Sequence, residues 1–298
     1  MSGFTERDVP DQSGRTFVVT GANAGLGFEA ARVLAGKGAR VLLGCRDKAR
    51  AQAAMALIGG DVAHLPLDLA DLASVRRAAE LASAEARLDG LINNAGIMFP
   101  PLGHTAQGFE LQFGVNHLGG FALSALLLPK LAETPGARIV VTASLAHNRG
   151  RIDWDDLDAR AGYVRGQRYC DSKLGNMLHF AELDRRLRAA GSPVRAMGCH
   201  PGVAATELMR HSGPFKLVTP LMGLFLNTAA QGAWPTLQAA TDPAAQGGDY
   251  YGPLGLGQLR GASGKARRSK PAQDSELARR LWDVSIEKTG IDPGLAPA

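Results

Sequence analysis

Six short, almost uninterrupted apolar runs punctuate the chain at positions 16–20, 40–44, 62–67, 90–93, 138–142 and 194–199. Runs of this length, bounded by glycine and polar residues, read as strands buried on both faces. Between them lie longer stretches rich in Ala, Leu and Arg, at 28–36, 48–57, 72–87, 109–131 and 168–188, with Gly36, Gly38 and Gly191 marking helix ends. This β-α-β-α order predicts an α/β chain with a single doubly wound parallel sheet of the Rossmann type, helices on both faces and ligands beyond the carboxyl ends of the strands. After Pro201 the pattern changes. Segment 206–228 contains Phe215, Leu217, Val218, Leu221, Met222, Leu224 and Phe225, interrupted by Pro214 and Pro220. It reads as a substrate lid over an apolar pocket, with a packed helix pair and a membrane-surface helix as competing readings. One domain over 1–298 is expected, with 253–298 as a C-terminal extension.

Composition narrows the class. An apolar fraction of 45% and a charged fraction of 20% belong to an ordinary globular chain with a large core. The net charge of +5 is modest for 298 residues, and the densest basic stretch, Lys265, Arg267, Arg268 and Lys270, reads as a solvated loop. A nucleic-acid partner is therefore not expected. Cys45, Cys170 and Cys199 are odd in number and lack metal-type spacing, which suggests reduced thiols, and no H-E-x-x-H or Cys/His cluster suggests a metal. Residues 1–14 are polar, with Glu6, Asp8 and Asp11, so no signal peptide or stable membrane insertion is expected and a cytoplasmic location follows.

The polar motifs fall at strand ends. Directly after the first strand comes Gly21-Ala22-Asn23-Ala24-Gly25-Leu26-Gly27, opening a helix. Glycines there permit a tight turn and let backbone N–H groups approach a pyrophosphate at the positive helix end. The spacing is G-x-x-x-G-x-G instead of the commoner G-x-G-x-x-G. The second strand ends in Gly44-Cys45-Arg46, without the acid that usually holds the ribose hydroxyls of NAD. Arg46 can engage a 2′-phosphate instead, which favours NADP(H) over NAD(H), although Asp47 stands beside it. Asp68, with Leu69 next to it, is placed to meet the adenine edge, and a helix cap is its competing role. Asn94, Ala95 and Gly96 close the fourth strand with small and amide residues suited to close contact with a ribose or with neighbouring strands.

Tyr169 and Lys173 lie one helical turn apart on one face. A free phenol has a pKa of about 10, an adjacent cation favours the phenolate, and each unit of depression corresponds to about 1.4 kcal/mol. Alone, the spacing arises often by chance. Assembled with Thr20 to Gly27, Asn93 to Gly96, Asn116, Ser144 and Pro201-Gly202 to Thr206, it makes the chain resemble the short-chain dehydrogenase/reductase family over residues 14–252. A closer resemblance is to its retinol dehydrogenase-like and protochlorophyllide reductase-like branch, through Gly44 to Asp47, Phe113 to Gly119, Ser144 to His147, Tyr169 to Leu174 and His200 to Val203. The chain departs from that branch at Ala143, where a serine is usual, and at Gly120, where a bulky residue is usual.

The resemblance implies Tyr169 as acid/base, Lys173 as its tuner and a ribose ligand, Ser144 as the hydroxyl that polarises the carbonyl, and Asn116 as holder of a relay water. It also implies cofactor contacts from Pro201, Gly202, Val203 and Thr206. His117 and His200 read as structural, and His147 as a weaker candidate for substrate contact. The expected activity is NADP(H)-dependent interconversion of an alcohol and an aldehyde or ketone on a small apolar substrate. A non-catalytic NADP(H) sensor and a reductase of a tetrapyrrole C=C bond are the alternatives. By resemblance a homodimer or homotetramer is expected, with helices 109–131 and 168–188 at its interface.

Overall fold

Every residue of β1 (Thr16–Thr20), β4 (Gly90–Asn93) and β5 (Arg138–Thr142) is buried, which places these strands in the middle of the sheet. The computed structural model describes residues 3–203 and 227–297. Around the central three stand β2 (Arg40–Cys45), β3 (Val62–Pro66), β6 (Arg195–Cys199), β7 (Tyr250–Gly255) and β8 (Arg260–Lys265). The order is β3-β2-β1-β4-β5-β6-β7-β8, parallel throughout except for β8, which pairs antiparallel with β7 at the edge. The expected doubly wound parallel sheet is therefore present, extended by two strands that the apolar pattern did not mark.

Alternation along each strand divides the core in two. Val18, Leu42, Ile139 and Val141 point to one face, and Phe17, Val19, Val41, Leu43 and Val140 to the other. The first face is covered by α3 (Leu72–Ser83), α4 (Leu111–Ala132), α5 (Arg165–Ala189) and α7 (Ser275–Thr289). The second is covered by α1 (Gly25–Gly36), α2 (Lys48–Ile58) and α6 (Ala229–Thr241). Each fully buried Leu, Ile or Phe in these layers contributes about 1.5–3 kcal/mol. α4 is long and apolar enough to cross a membrane, but 83% of its apolar window is buried inside the protein, as befits a central core helix.

The C-terminal segment is built into the fold. Asp274 caps α7 by accepting from Glu276 N and Leu277 N, and Gly290 ends it in the left-handed region. Trp282 on α7 packs edge-on to Phe121 of α4 and beside His179 of α5. The α4 and α5 surfaces around Phe121 and His179, on helices expected at a subunit interface, are thus covered by the chain's own last helix.

Candidate active site

The switch in strand order lies between β1 and β4, and the loops leaving their carboxyl ends converge there. Thr20, the last residue of β1, ties the two exits together. Its Oγ1 accepts from Asn94 N (3.0 Å) and Ala95 N (2.9 Å), while its carbonyl accepts from Asn94 Nδ2 (2.9 Å). Gly21 and Gly25 take positive φ (68° and 60°) in the turn into α1. A Cβ at Gly27 would stand 2.5 Å from both Asn94 Nδ2 and Gly21 O, so only glycine lets the helix pass this close. The N-cap residue, Ala24, makes no side-chain capping bond, which leaves the first-turn N–H groups available to an anion. These features fit a dinucleotide pyrophosphate.

At the end of β2, Asp47 is committed to capping α2, with Oδ1 accepting from Arg50 N at 3.0 Å. Arg46 is exposed and makes no hydrogen bond or ion pair among the described residues. Beyond β3, Asp68 Oδ1 accepts from Ala70 N (2.9 Å) in a local turn, whereas the cap of α3 is Asp71. The competing reading of Asp68 as that cap is excluded, and its second carboxylate oxygen has no hydrogen-bond donor among the described residues. Leu69 is buried beside it.

Tyr169 and Lys173 sit on α5, both buried. Ser144, which follows β5 and caps a 3-10 turn over Leu145–Arg149, lies near the Tyr169 hydroxyl. Lys173 Nζ stands 5.9 Å from the Tyr169 ring centroid and donates to Thr142 O at 3.1 Å. Burial pushes the phenol up to about 12, opposed by the nearby Ser144 hydroxyl, and pushes the Lys173 ammonium down to about 8. In the protein alone desolvation sets both directions, with the Lys173 ammonium turned to the β5 carbonyl.

The amide of Asn116 is bonded within the fold. Its Nδ2 donates to Ile97 O (3.0 Å) and Ser172 Oγ (2.9 Å), and its Oδ1 accepts from Ile97 N (2.7 Å). It lies in a π turn, Gly114–Leu118, that widens α4 at this point. A Cβ at Gly96 would come 3.2 Å from Asn116 Oδ1 and 3.4 Å from Lys173 Nζ, so the missing side chain leaves a small polar space between those two groups.

His147, a weaker candidate for substrate contact, is fully buried. Ser269 N donates to its Nε2 (3.3 Å), so Nδ1 carries the proton and donates to Ser144 O (2.6 Å), fixing the turn that bears Ser144. His117 donates from Nε2 to Ser285 Oγ on α7 (2.9 Å), and His200 Nδ1 accepts from Gly202 N (3.1 Å). Both are structural, as expected. Pro201, Gly202 and Val203 leave β6, with Gly202 at φ 69° and Val203 N donating to Leu259 O at 3.0 Å. Thr206 and nearly all of the expected lid lie outside the described residues. Thr142 and Gln112 make contacts in the site that no motif marks; Gln112 stands four residues before Asn116, which is its one signal in the sequence.

A family model for short chain dehydrogenases matches residues 15–216. The chain belongs to that family. Human retinol dehydrogenase 12 is 41% identical over 286 residues, covering 93% of this chain and 87% of its own length, and human retinol dehydrogenase 13 is 41% identical over 295 residues, covering 94% and 86%. Among solved structures, an uncharacterized protein from Mycobacterium paratuberculosis is 42% identical with a TM-score of 0.84, covering 99% of this chain and 100% of its own. The NADP active-site complex of Pseudomonas aeruginosa RhlG is 26% identical with a TM-score of 0.63, covering 80% and 94%. This short-chain dehydrogenase is accordingly an oxidoreductase of alcohols and carbonyls with a nicotinamide dinucleotide site.

Proposed function

We propose that the protein interconverts an alcohol and an aldehyde or ketone on an apolar substrate, with NADP(H) as cofactor and Tyr169 as acid/base. The observation that carries this reading is the buried Tyr169 beside Lys173 on α5, with Ser144 directly after β5. The nicotinamide, when bound, supplies or accepts the hydride. Reduction builds negative charge on the carbonyl oxygen, and the Tyr169 phenol donates its proton to that oxygen. Ser144 Oγ, fixed by accepting from Ala146 N (3.2 Å), offers a second hydroxyl to the same oxygen. Lys173, Gly96 and Asn116 surround the space suited to ribose hydroxyls or a relay water. Exposed Arg46, with Asp47 turned to helix capping, supports a 2′-phosphate partner. The relatives' names, retinol dehydrogenases, support a long apolar alcohol or aldehyde.

Tyr169→Phe is expected to lower turnover by about 10²–10⁴-fold while the dissociation constant for NADPH stays nearly constant. Parent-like turnover in that variant would remove the mechanism. Arg46→Asp should weaken NADPH binding at least about tenfold relative to NADH, since a bidentate partner is replaced by a like charge to the phosphate; unchanged preference, read by fluorescence titration, would argue for NAD(H). The three free thiols support a reducing, cytoplasmic setting.

A further inference from the structure

Phe99, in the loop after β4, has φ 59°, a left-handed conformation costly for any residue with a Cβ. Its ring stands edge-on to the Tyr169 ring, with centroids 5.5 Å apart and planes at 77°. Nothing in the chemistry described above uses this residue, yet the loop is tied down at almost every position. Asn116 holds both backbone groups of Ile97. Gln112 Oε1 accepts from Phe99 N at 3.0 Å, and Tyr163 Oη donates to Pro100 O at 2.9 Å. Gln112 is fully buried, and its Nε2 donates to Tyr163 Oη (3.0 Å) and Arg165 O (3.1 Å). The start of α4 is fixed in turn by the fully buried Glu110, whose carboxylate accepts from Gln112 N and Phe113 N. A strained backbone persists where its surroundings over-determine it, and here they do so for the benefit of one aromatic ring.

We propose that Phe99 is a specificity-determining wall of the substrate site, held against the Tyr169 phenol so that an unbranched aldehyde end reaches the hydroxyl more readily than a carbonyl flanked by two carbon substituents. The proposal rests on the acid/base role of Tyr169. That residue is 7% exposed, and the half-buried Phe99 ring stands against it, so the ring covers one side of the approach to the phenol. A second carbon substituent on the reacting carbon widens the substrate in the dimension that the ring limits. Phe99 is thus a positioning residue that touches the acid rather than a participant in proton transfer.

The test compares octanal with 2-octanone, using NADPH and the full chain, in the parent and in Phe99→Ala, Phe99→Gly, Phe99→Leu, Tyr163→Phe and Tyr169→Phe. Glycine tolerates the left-handed backbone, so Phe99→Gly keeps the loop folded while removing the ring. In both Ala and Gly variants the ratio of kcat/KM for aldehyde over ketone should fall at least about tenfold, with NADPH affinity unchanged; one lost group of this size in an apolar pocket is worth about 10–200-fold. Phe99→Leu should restore most of the preference, and Tyr163→Phe, which loosens the loop without touching the ring, should lower it partway. Ratios within about twofold of the parent in NADPH-binding Ala and Gly variants, with Tyr169→Phe inactive, overturn the wall and leave the acid/base role standing. Active Tyr169→Phe overturns the acid/base role and the wall with it.

Discussion

Gly96 shows how a single absent methyl group can matter more for binding than for folding. The nearest atoms to a Cβ placed there are Asn116 Oδ1 at 3.2 Å and Lys173 Nζ at 3.4 Å, a tight fit that small side-chain shifts accommodate. Gly96→Ala should therefore lower the melting temperature by only a few degrees, within the usual range of about 2–4 °C per kcal/mol for a chain of this size. The same methyl fills the space between Lys173 and Asn116, so the dissociation constant for NADPH should rise at least about tenfold, or 1.4 kcal/mol. Equal affinity by titration would show that this space is not cofactor space. The identities of Tyr169, Lys173 and Ser144 were legible because their spacing and order are carried by the sequence. The pKa directions were not: they depend on burial and on Lys173 reaching the carbonyl of Thr142 on β5, 31 residues away in the chain. Asn116 was legible as a member of the site, but its task in holding Ile97 depends on a loop folded back against α4.

Among elements, the pairing of α5 with α7 depends on a buried charge. Glu182 and Arg186 are 1% and 3% exposed and 2.6 Å apart, and Arg186 also donates to Leu295 O (2.9 Å) and stacks 4.7 Å from the Trp282 ring. Breaking such a pair by removing one partner costs about 3–5 kcal/mol. Glu182→Gln should lower the urea midpoint accordingly, and an unchanged midpoint would mean that the guanidinium is satisfied by its remaining partners. Strands β1 to β6 were legible because burial on both faces demands continuous apolar runs. β8 was not, since Arg260–Lys265 contains Ala262 as its sole apolar residue and is a strand because β7 and Phe4 supply its hydrogen-bond partners. α6 was obscured by Pro235, although Thr228 and Gln231 form a capping box at its start. α7 carries readable signals at both ends, Asp274 as its cap and Gly290 at its close.

The molecule as a whole carries an acid sensitivity built from its core. Burial pushes His179 and His200 down to about 4, and lowers His117 and His147 as well. Between that value and the ordinary value of about 6.5 the unfolded chain binds more protons than the folded one, so stability falls as pH drops through this window. Melting temperature measured from pH 7.5 to pH 4.5 should decline by several degrees per unit below about pH 6.5, and His179→Gln should flatten the slope. A profile independent of pH in this range would mean that these rings take up protons in the fold as readily as in the unfolded chain. At the opposite edge of the sheet, Asn227 N donates to Val203 O at 3.0 Å and Asn227 Nδ2 to Pro201 O at 3.1 Å. Asn227 Oδ1 in turn accepts from Gly261 N at 3.0 Å, so one side chain fastens the exit of β6, the approach to α6 and the edge strand β8 together at a single rivet.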